Sequence, residues 1–466
     1  MVFSDLNFLY IFLPALFITY FLIKNNAYRR GVLILFSLFF YAWGEPVCVF
    51  LMILLVLADY VLGRLIDSSE TQAMRKTWLV IAVIINLSVL AYYKYLGFFV
   101  STVNSVFNTS IPVLNVTMPI GISFFTFQTM SYVIDVYRRD TEVQRSYFKL
   151  LLYVSLFPQL IAGPIVRYKD IEMQLENRMI SPKRMNDGLF RFAVGLGKKV
   201  LIADACASAL ASLYGLSDVT LLGRWAGAAF YTLELYFDFS GYSDMAIGIG
   251  KMLGFDFLEN FNYPLVSTSA TDFWRRWHIS LGSFFRDYVY IPLGGNRHNQ
   301  WRNIIIVWFL TGLWHGASWN FVLWGLYYAV LLVIEKKFLL KAFDSLGRIA
   351  KPIVTHVYTV FVTVFGFAIF YFDADLWRNL GYLFGIGSKG FTDIFTTSVL
   401  AQNVVLFAAA VVLACPIMNK IVKSMEKHLP YCTVRVIKTI AVVVLIGIST
   451  VKLVGNTYSP FLYFRF

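Results

Sequence analysis

Charge is scarce in this chain. Only 14% of its 466 residues are Asp, Glu, Lys or Arg, against about 25% in soluble globular proteins, which excludes an ordinary water-exposed domain. Cysteine is scarcer still: Cys48, Cys206, Cys415 and Cys432 lie far apart, without the spacing of a metal site or a disulfide framework, so no metal is expected. No glycine-rich phosphate loop, nucleophile elbow or zinc-ligand spacing occurs. Internal repeats and inverted hydropathy symmetry, which many secondary transporters show, are also missing. Acidic residues are outnumbered 27 to 40, giving a net charge of +13. The Lys and Arg residues sit in short segments between apolar runs instead of forming a patch, which argues against nucleic acid.

What is abundant is hydrocarbon. Hydrophobic residues make up 58% of the chain and its mean hydropathy is +0.66, so the bilayer is its solvent. Runs near the ~20 residues that cross a hydrocarbon core recur along the whole length. They fall at about 5–23, 31–44, 47–66, 78–94, 118–136, 148–166, 190–214, 224–252, 303–314 with 318–335, 352–372, 403–420 and 436–454. The first run lacks a basic stretch before it and a small-residue cleavage site after it, and reads as a retained span. Gly and Pro interrupt the pattern at Pro119-Ile-Gly121, Ala162-Gly163-Pro164 and Gly312 to Gly316. Broken backbone at membrane depth is tolerated only beside protein or a water-filled cavity, so these interruptions predict re-entrant or half-crossing helices around a cavity. The basic segment Lys24 to Arg30 and the cationic stretch Lys420 to Lys438 belong in the cytoplasm by the positive-inside rule, which puts both termini outside.

The five histidines are His278, His298, His315, His356 and His428. His315 lies in Thr311-Gly-Leu-Trp-His-Gly-Ala-Ser-Trp-Asn320, the middle of an apolar stretch, where an ionisable side chain is costly and marks a functional site. A buried histidine satisfied by one carbonyl is the bland reading. Flanking Gly312 and Gly316, which remove bulk where a substrate could approach, weigh against it. His278 lies in Asp272-Phe-Trp-Arg-Arg-Trp-His-Ile-Ser-Leu-Gly282, a segment too polar to span, which suits the cytoplasmic interface or a polar vestibule. Arg275, Arg276, Arg286 and Arg297 supply cations suited to phosphates, whether of a donor tail or of anionic membrane lipids; composition leaves both open. Glu234 and Asp238 share one helical face, with Asp244 close behind. The expected role of these carboxylates is pairing with Arg or holding backbone donors, ahead of an ion relay. Asp135, beside Tyr137-Arg-Arg139, reads as a boundary residue.

The segments Met118-Pro-Ile-Gly-Ile-Ser-Phe124, Phe157-Pro-Gln-Leu-Ile-Ala-Gly-Pro164, Tyr236-Phe-Asp-Phe-Ser-Gly-Tyr-Ser-Asp-Met-Ala-Ile-Gly248, Trp274-Arg-Arg-Trp-His-Ile-Ser280 and Gly312-Leu-Trp-His-Gly316 resemble, in this order, the bacterial branch of the membrane-bound O-acyltransferases. Within it the motifs look like those of the alginate and peptidoglycan O-acetyltransferases. The resemblance implies an all-α polytopic membrane protein of the bacterial inner membrane, with about 12 spans including re-entrant helices around a central funnel open to the cytoplasm. It divides the chain into a transmembrane domain, 1–455, and an extracytoplasmic aromatic tail, 456–466. It implies an enzyme that moves an acetyl group from acetyl-coenzyme A, with no metal, to an extracellular or cell-wall polysaccharide. His315 corresponds to the family's near-invariant histidine and His278 to its second polar position. Trp274, Arg275, Arg276 and Asn320 are the expected donor-binding residues. The last span and tail resemble a separate acyl-accepting peptide of the D-alanyl transfer branch, fused on here, which makes Tyr463 a candidate acceptor; an aromatic interfacial anchor is the competing reading. The chain contains no extracytoplasmic catalytic domain, so an esterase-like SGNH partner is expected. A transporter or flippase of an acylated intermediate is the rival from another class.

Overall fold

The computed structural model describes the chain except residues 115, 162, 217, 374, 456–460 and 463–466. Helices account for all the regular structure among the described residues, and no strand occurs there. Five helices are long and apolar enough to cross a bilayer by themselves: Cys48–Ser68, Gln72–Phe107, Ala350–Tyr371, Ile394–Leu413 and Tyr431–Gly455. At 1.5 Å per residue the first of these, 21 residues long, reaches about 30 Å, the thickness of a hydrocarbon core. Large apolar side chains such as Val405, Val443 and Val451 stay exposed on these helices, as lipid contact requires.

The interruptions read from Gly and Pro coincide with helix ends. Gly121 takes φ +76 immediately before Ile122–Arg138; a Cβ there would also stand 2.8 Å from the Leu160 carbonyl oxygen, so only glycine fits. Gln300–His315 stops at Gly316, and Trp319–Ile334 begins three residues later. Two of the expected runs are broken inside. The 148–166 run is broken into Tyr147–Ser155 and Phe157–Leu160, because Leu156 leaves the helical region (ψ 105) and Pro158 opens a new turn. The 403–420 run is in fact the end of Ile394–Leu413 and the start of Ile417–His428. Asp393 starts the former by accepting from the Thr396 N–H at 2.7 Å, and Pro416, which has no N–H to continue a helix, separates the two.

The chain forms two compact units, residues 1–192 with 242–258, and residues 193–241 with 259–466. In the first, Phe3, Phe8, Phe12, Phe40, Phe157 and Tyr242 pack ring against ring. Beside this aromatic core runs a polar seam: the Asn86 amide donates to both carboxylate oxygens of buried Asp59, at 3.0 and 2.9 Å, and Thr129 donates to the Asn86 oxygen at 2.8 Å. Asp135, expected at a boundary, is instead fully buried and 3.5 Å from the Lys169 ammonium.

The second unit is built around the hairpin Gln300–His315 and Trp319–Ile334. A Cβ on Gly312 would lie 2.4 Å from the Phe321 carbonyl oxygen, and one on Gly325 would lie 2.3 Å from that of Trp308. The two helices therefore touch backbone to backbone, which side chains would forbid. Tyr327 ties the second helix to Ala350–Tyr371 by donating to the Val362 carbonyl at 3.0 Å. Around them Phe237, Phe273, Trp277, Phe321, Trp324, Tyr328, Phe367 and Phe370 make a largely aromatic core.

Candidate active site

His315 is the last residue of Gln300–His315, placed where Gly316 turns extended and releases the chain from the helix. Trp314, Trp324 and Phe370 meet its ring edge-on at 5.0, 5.0 and 5.2 Å between centroids, leaving the residue 6% exposed. Rings that close fix the imidazole plane by packing.

His278 reaches the same place by a different route. It sits between two short helices, Ala270–Arg276 and Ile279–Phe285, in the left-handed region (φ +46). A non-glycine residue pays strain for that conformation, and Asn260 holds it. The Ile279 N–H donates to the Asn260 carbonyl, and the Asn260 side-chain oxygen accepts from the Ser280 N–H and hydroxyl and lies 3.2 Å from His278 Nδ1. The preceding helix is itself anchored: buried Glu335 accepts from the N–H groups of Ala270 and Thr271 at 2.6 and 2.8 Å, a carboxylate at a helix N-terminus.

The two histidines converge. Their ring centroids are 6.5 Å apart, and both line a cavity of about 160 Å³ with Trp274, Trp277, Leu281, Phe285, Arg286, Tyr290, Trp308 and Thr311 among its other walls. The walls are mostly aromatic, with the imidazoles, the Tyr290 and Thr311 hydroxyls and the Arg286 guanidinium among the polar groups, the make-up of a small-molecule site. Among the described residues no group of three or more His, Cys, Asp or Glu side chains could hold a metal ion.

Of the four expected donor-binding residues, the structure brings only Trp274 to this cavity, where its ring meets Trp308, Trp324 and Tyr328. Arg275 is exposed, and Arg276 pairs with Asp272 at 3.0 Å. Asn320 is buried outside the cavity lining and donates to the Phe370 carbonyl at 2.9 Å, which holds a ring that packs on His315. Arg286, at the cavity wall, pairs with Asp287. Tyr463 lies outside the described residues. Asp238 pairs with a lysine, Lys199, and not with an arginine, while Asp244 does pair with Arg191. Asn260 and Glu335 escaped the sequence reading, since a single amide or carboxylate near a loop carries no periodic mark.

The model of the membrane-bound O-acyltransferase family matches residues 113–371, more than half of the chain. This chain belongs to that family. Along its full length it is 37% identical to the full length of a probable alginate O-acetylase of Azotobacter vinelandii. It is 36% identical to a peptidoglycan O-acetyltransferase of Helicobacter pylori, covering 72% of this chain and 71% of that protein. A teichoic acid D-alanyltransferase of Bacillus subtilis is 30% identical over 47% of this chain and 60% of its own. As a membrane-bound O-acyltransferase the protein is a membrane-embedded acyltransferase, and both cavity histidines lie inside the matched region.

Proposed function

We propose that the protein takes an acetyl group from acetyl-coenzyme A on the cytoplasmic side of the bacterial inner membrane and passes it across for O-acetylation of an extracellular or cell-wall polysaccharide. The observation that carries this reading is the convergence of His278 and His315 on one aromatic-walled cavity. The full-length similarity to a probable alginate O-acetylase supports acetyl as the group and a polysaccharide as its destination. The size of the cavity suits a small acyl group, and its one guanidinium, Arg286, suits a donor phosphate.

In this mechanism the oxygen of an acceptor hydroxyl attacks the thioester carbonyl carbon while His315 takes its proton. The carbon–sulfur bond breaks, and the proton passes from His315 to the departing thiolate. His278, held by Asn260, orients the carbonyl. Tyr463 is the acceptor in our reading. Its acetyl ester, with a phenol as leaving group, retains much of the thioester's transfer potential for a second step outside. That step belongs to an extracytoplasmic esterase-like partner of the SGNH type. The same reading carries about 12 crossings around a cytoplasm-facing funnel, with both termini and the 456–466 tail outside.

The decisive measurement uses purified protein in proteoliposomes with radiolabelled acetyl-coenzyme A. His315→Ala is expected to lower acetyl transfer by about 10²–10⁴-fold with an unchanged thermal midpoint. Label should appear on Tyr463 in the wild type and vanish in Tyr463→Phe. Transport of an acetylated compound without any label transfer would overturn the enzyme mechanism in favour of a flippase.

A further inference from the structure

The long helical stretch 182–214 widens into a π-helical segment at Lys198–Ala203, and this irregularity turns Lys199 into the core. Its ammonium lies 2.6 Å from an Asp238 oxygen and 2.9 Å from one of Asp204, and the Lys199 and Asp238 side chains are 3% and 2% exposed. The close approach is built in. A Cβ on Gly241, one turn beyond Asp238, would stand 2.7 Å from the Gly195 carbonyl oxygen and 3.2 Å from the Lys199 backbone nitrogen. Taking such charges out of water is costly, and well-packed apolar residues would stabilise the fold at least as well. A buried ion pair here calls for a role besides stability.

The second oxygen of Asp238 supplies one. It accepts from the backbone N–H of Leu462 at 3.0 Å, a residue 224 positions away in the chain. The Lys199 ammonium also lies 4.9 Å from the centre of the Phe461 ring, within cation–π range. Phe461 and Leu462 are 1% and 7% exposed, and Leu462 belongs to the same core cluster as Trp324 and Phe370, which pack on His315. An aromatic interfacial anchor would leave its side chains on the lipid surface, and these two are enclosed in protein.

We propose that Lys199, Asp204 and Asp238 form a receptor for the chain's own C-terminal segment, which grips the backbone at Leu462 and the ring of Phe461 and so positions the next residue, Tyr463, for acyl transfer. These three are positioning residues, and their catalytic meaning rests on the reading of Tyr463 as acceptor. The grip on the segment stands independently of it.

The test uses the full chain in detergent, with Cys48, Cys206, Cys415 and Cys432 replaced by alanine and a reporter thiol introduced by Leu462→Cys, which leaves the 462 N–H and Tyr463 in place. Maleimide labelling of position 462 is expected to be slow. It should rise at least tenfold when Lys199→Met and Asp238→Leu are combined, a pair that removes the two most buried charges together and leaves only Asp204, whose side chain is 15% exposed. Phe461→Ala should also speed labelling. Equal rates in all forms, with thermal midpoints matched, would overturn the receptor. In the same proteins, label from acetyl-coenzyme A on Tyr463 should fall at least tenfold whenever the thiol becomes reactive. Fast thiol labelling with undiminished Tyr463 acetylation would overturn the positioning role. Absence of label on Tyr463 in every form, with the thiol result as expected, would sink the tyrosine relay and leave the receptor standing.

Discussion

In the first unit Asp59, Asn86 and Thr129 bond to one another and to the Ala82 and Thr126 carbonyls, and are fully enclosed among Cys48–Ser68, Gln72–Leu90 and Ile122–Arg138. In the second, His278 and His315 are just as deeply buried but face a cavity, and the groups that hold them, Asn260 and the surrounding rings, stand behind them. Depth and polarity are the same in both places. The difference lies in where the polar atoms point: the seam closes on itself and serves cohesion, whereas the cavity keeps polar groups on its wall for an incoming molecule. A polar residue within a membrane protein is thus not by itself a functional mark.

The comparison breaks if a residue behind the cavity proves structural. Asn260→Ala removes the oxygen that meets His278 Nδ1, the Ser280 N–H and the Ser280 hydroxyl, while the Asn260 carbonyl contact to Ile279 remains. With its left-handed backbone less restrained, the His278 ring drifts, and misplacement of about 1 Å costs on the order of 10²-fold in rate. We expect that loss in kcat of acetyl transfer, with the thermal midpoint lowered only slightly. A large drop in midpoint with kcat preserved would assign Asn260 to the scaffold instead.

The converse holds for the seam. Asn86→Ala takes from Asp59 the amide that meets both its oxygens, while Thr129 keeps the Thr126 carbonyl, and a buried polar group that loses its partner costs about 1–3 kcal/mol. Unfolding of the detergent-solubilised protein should shift accordingly, while the specific activity of the folded fraction stays within about twofold, a free-energy change below roughly 0.5 kcal/mol. A selective loss of activity would mean that the seam, too, serves the reaction.

Much of this is legible in the sequence. His315 stands out because an ionisable group in an apolar run has to be explained, and the break at Gly121 follows from the positive φ that glycine permits, whereas Gly316 is extended and glycine is needed there because a Cβ would stand 2.2 Å from the Phe321 ring. The residues around His278 mark it only as a polar position in an interfacial segment, and the family resemblance is what singles it out; its left-handed backbone and its place beside His315 depend on Asn260, 18 residues earlier, and on no periodic pattern. The 403–420 span failed for a related reason. Hydropathy averages across Ala414 to Pro416, whereas the backbone ends one helix there and begins another. For Asp238 the sequence predicts an Arg partner or a backbone donor; it does hold a backbone donor, Leu462, but its ion-pair partner is Lys199, and both come from distant parts of the chain. Local chemistry predicts what a residue needs, and the fold decides who supplies it.

Glu335 tests how far the supporting layer behind the cavity extends. It touches no cavity wall, yet it binds the first two N–H groups of Ala270–Arg276, the helix that carries Trp274 into the cavity and leads to His278. Glu335→Gln keeps one acceptor oxygen and removes the negative charge from the helix N-terminus, an interaction worth about 0.3–1 kcal/mol. The expected consequence is a fall in kcat of roughly 2–5-fold with KM for the acyl donor unchanged, since the helix is loosened and not displaced. Glu335→Ala removes both acceptors and should go further in the same direction. If KM rose while kcat held, the helix would be acting on donor binding through exposed Arg275, and the layer behind the histidines would end at Asn260.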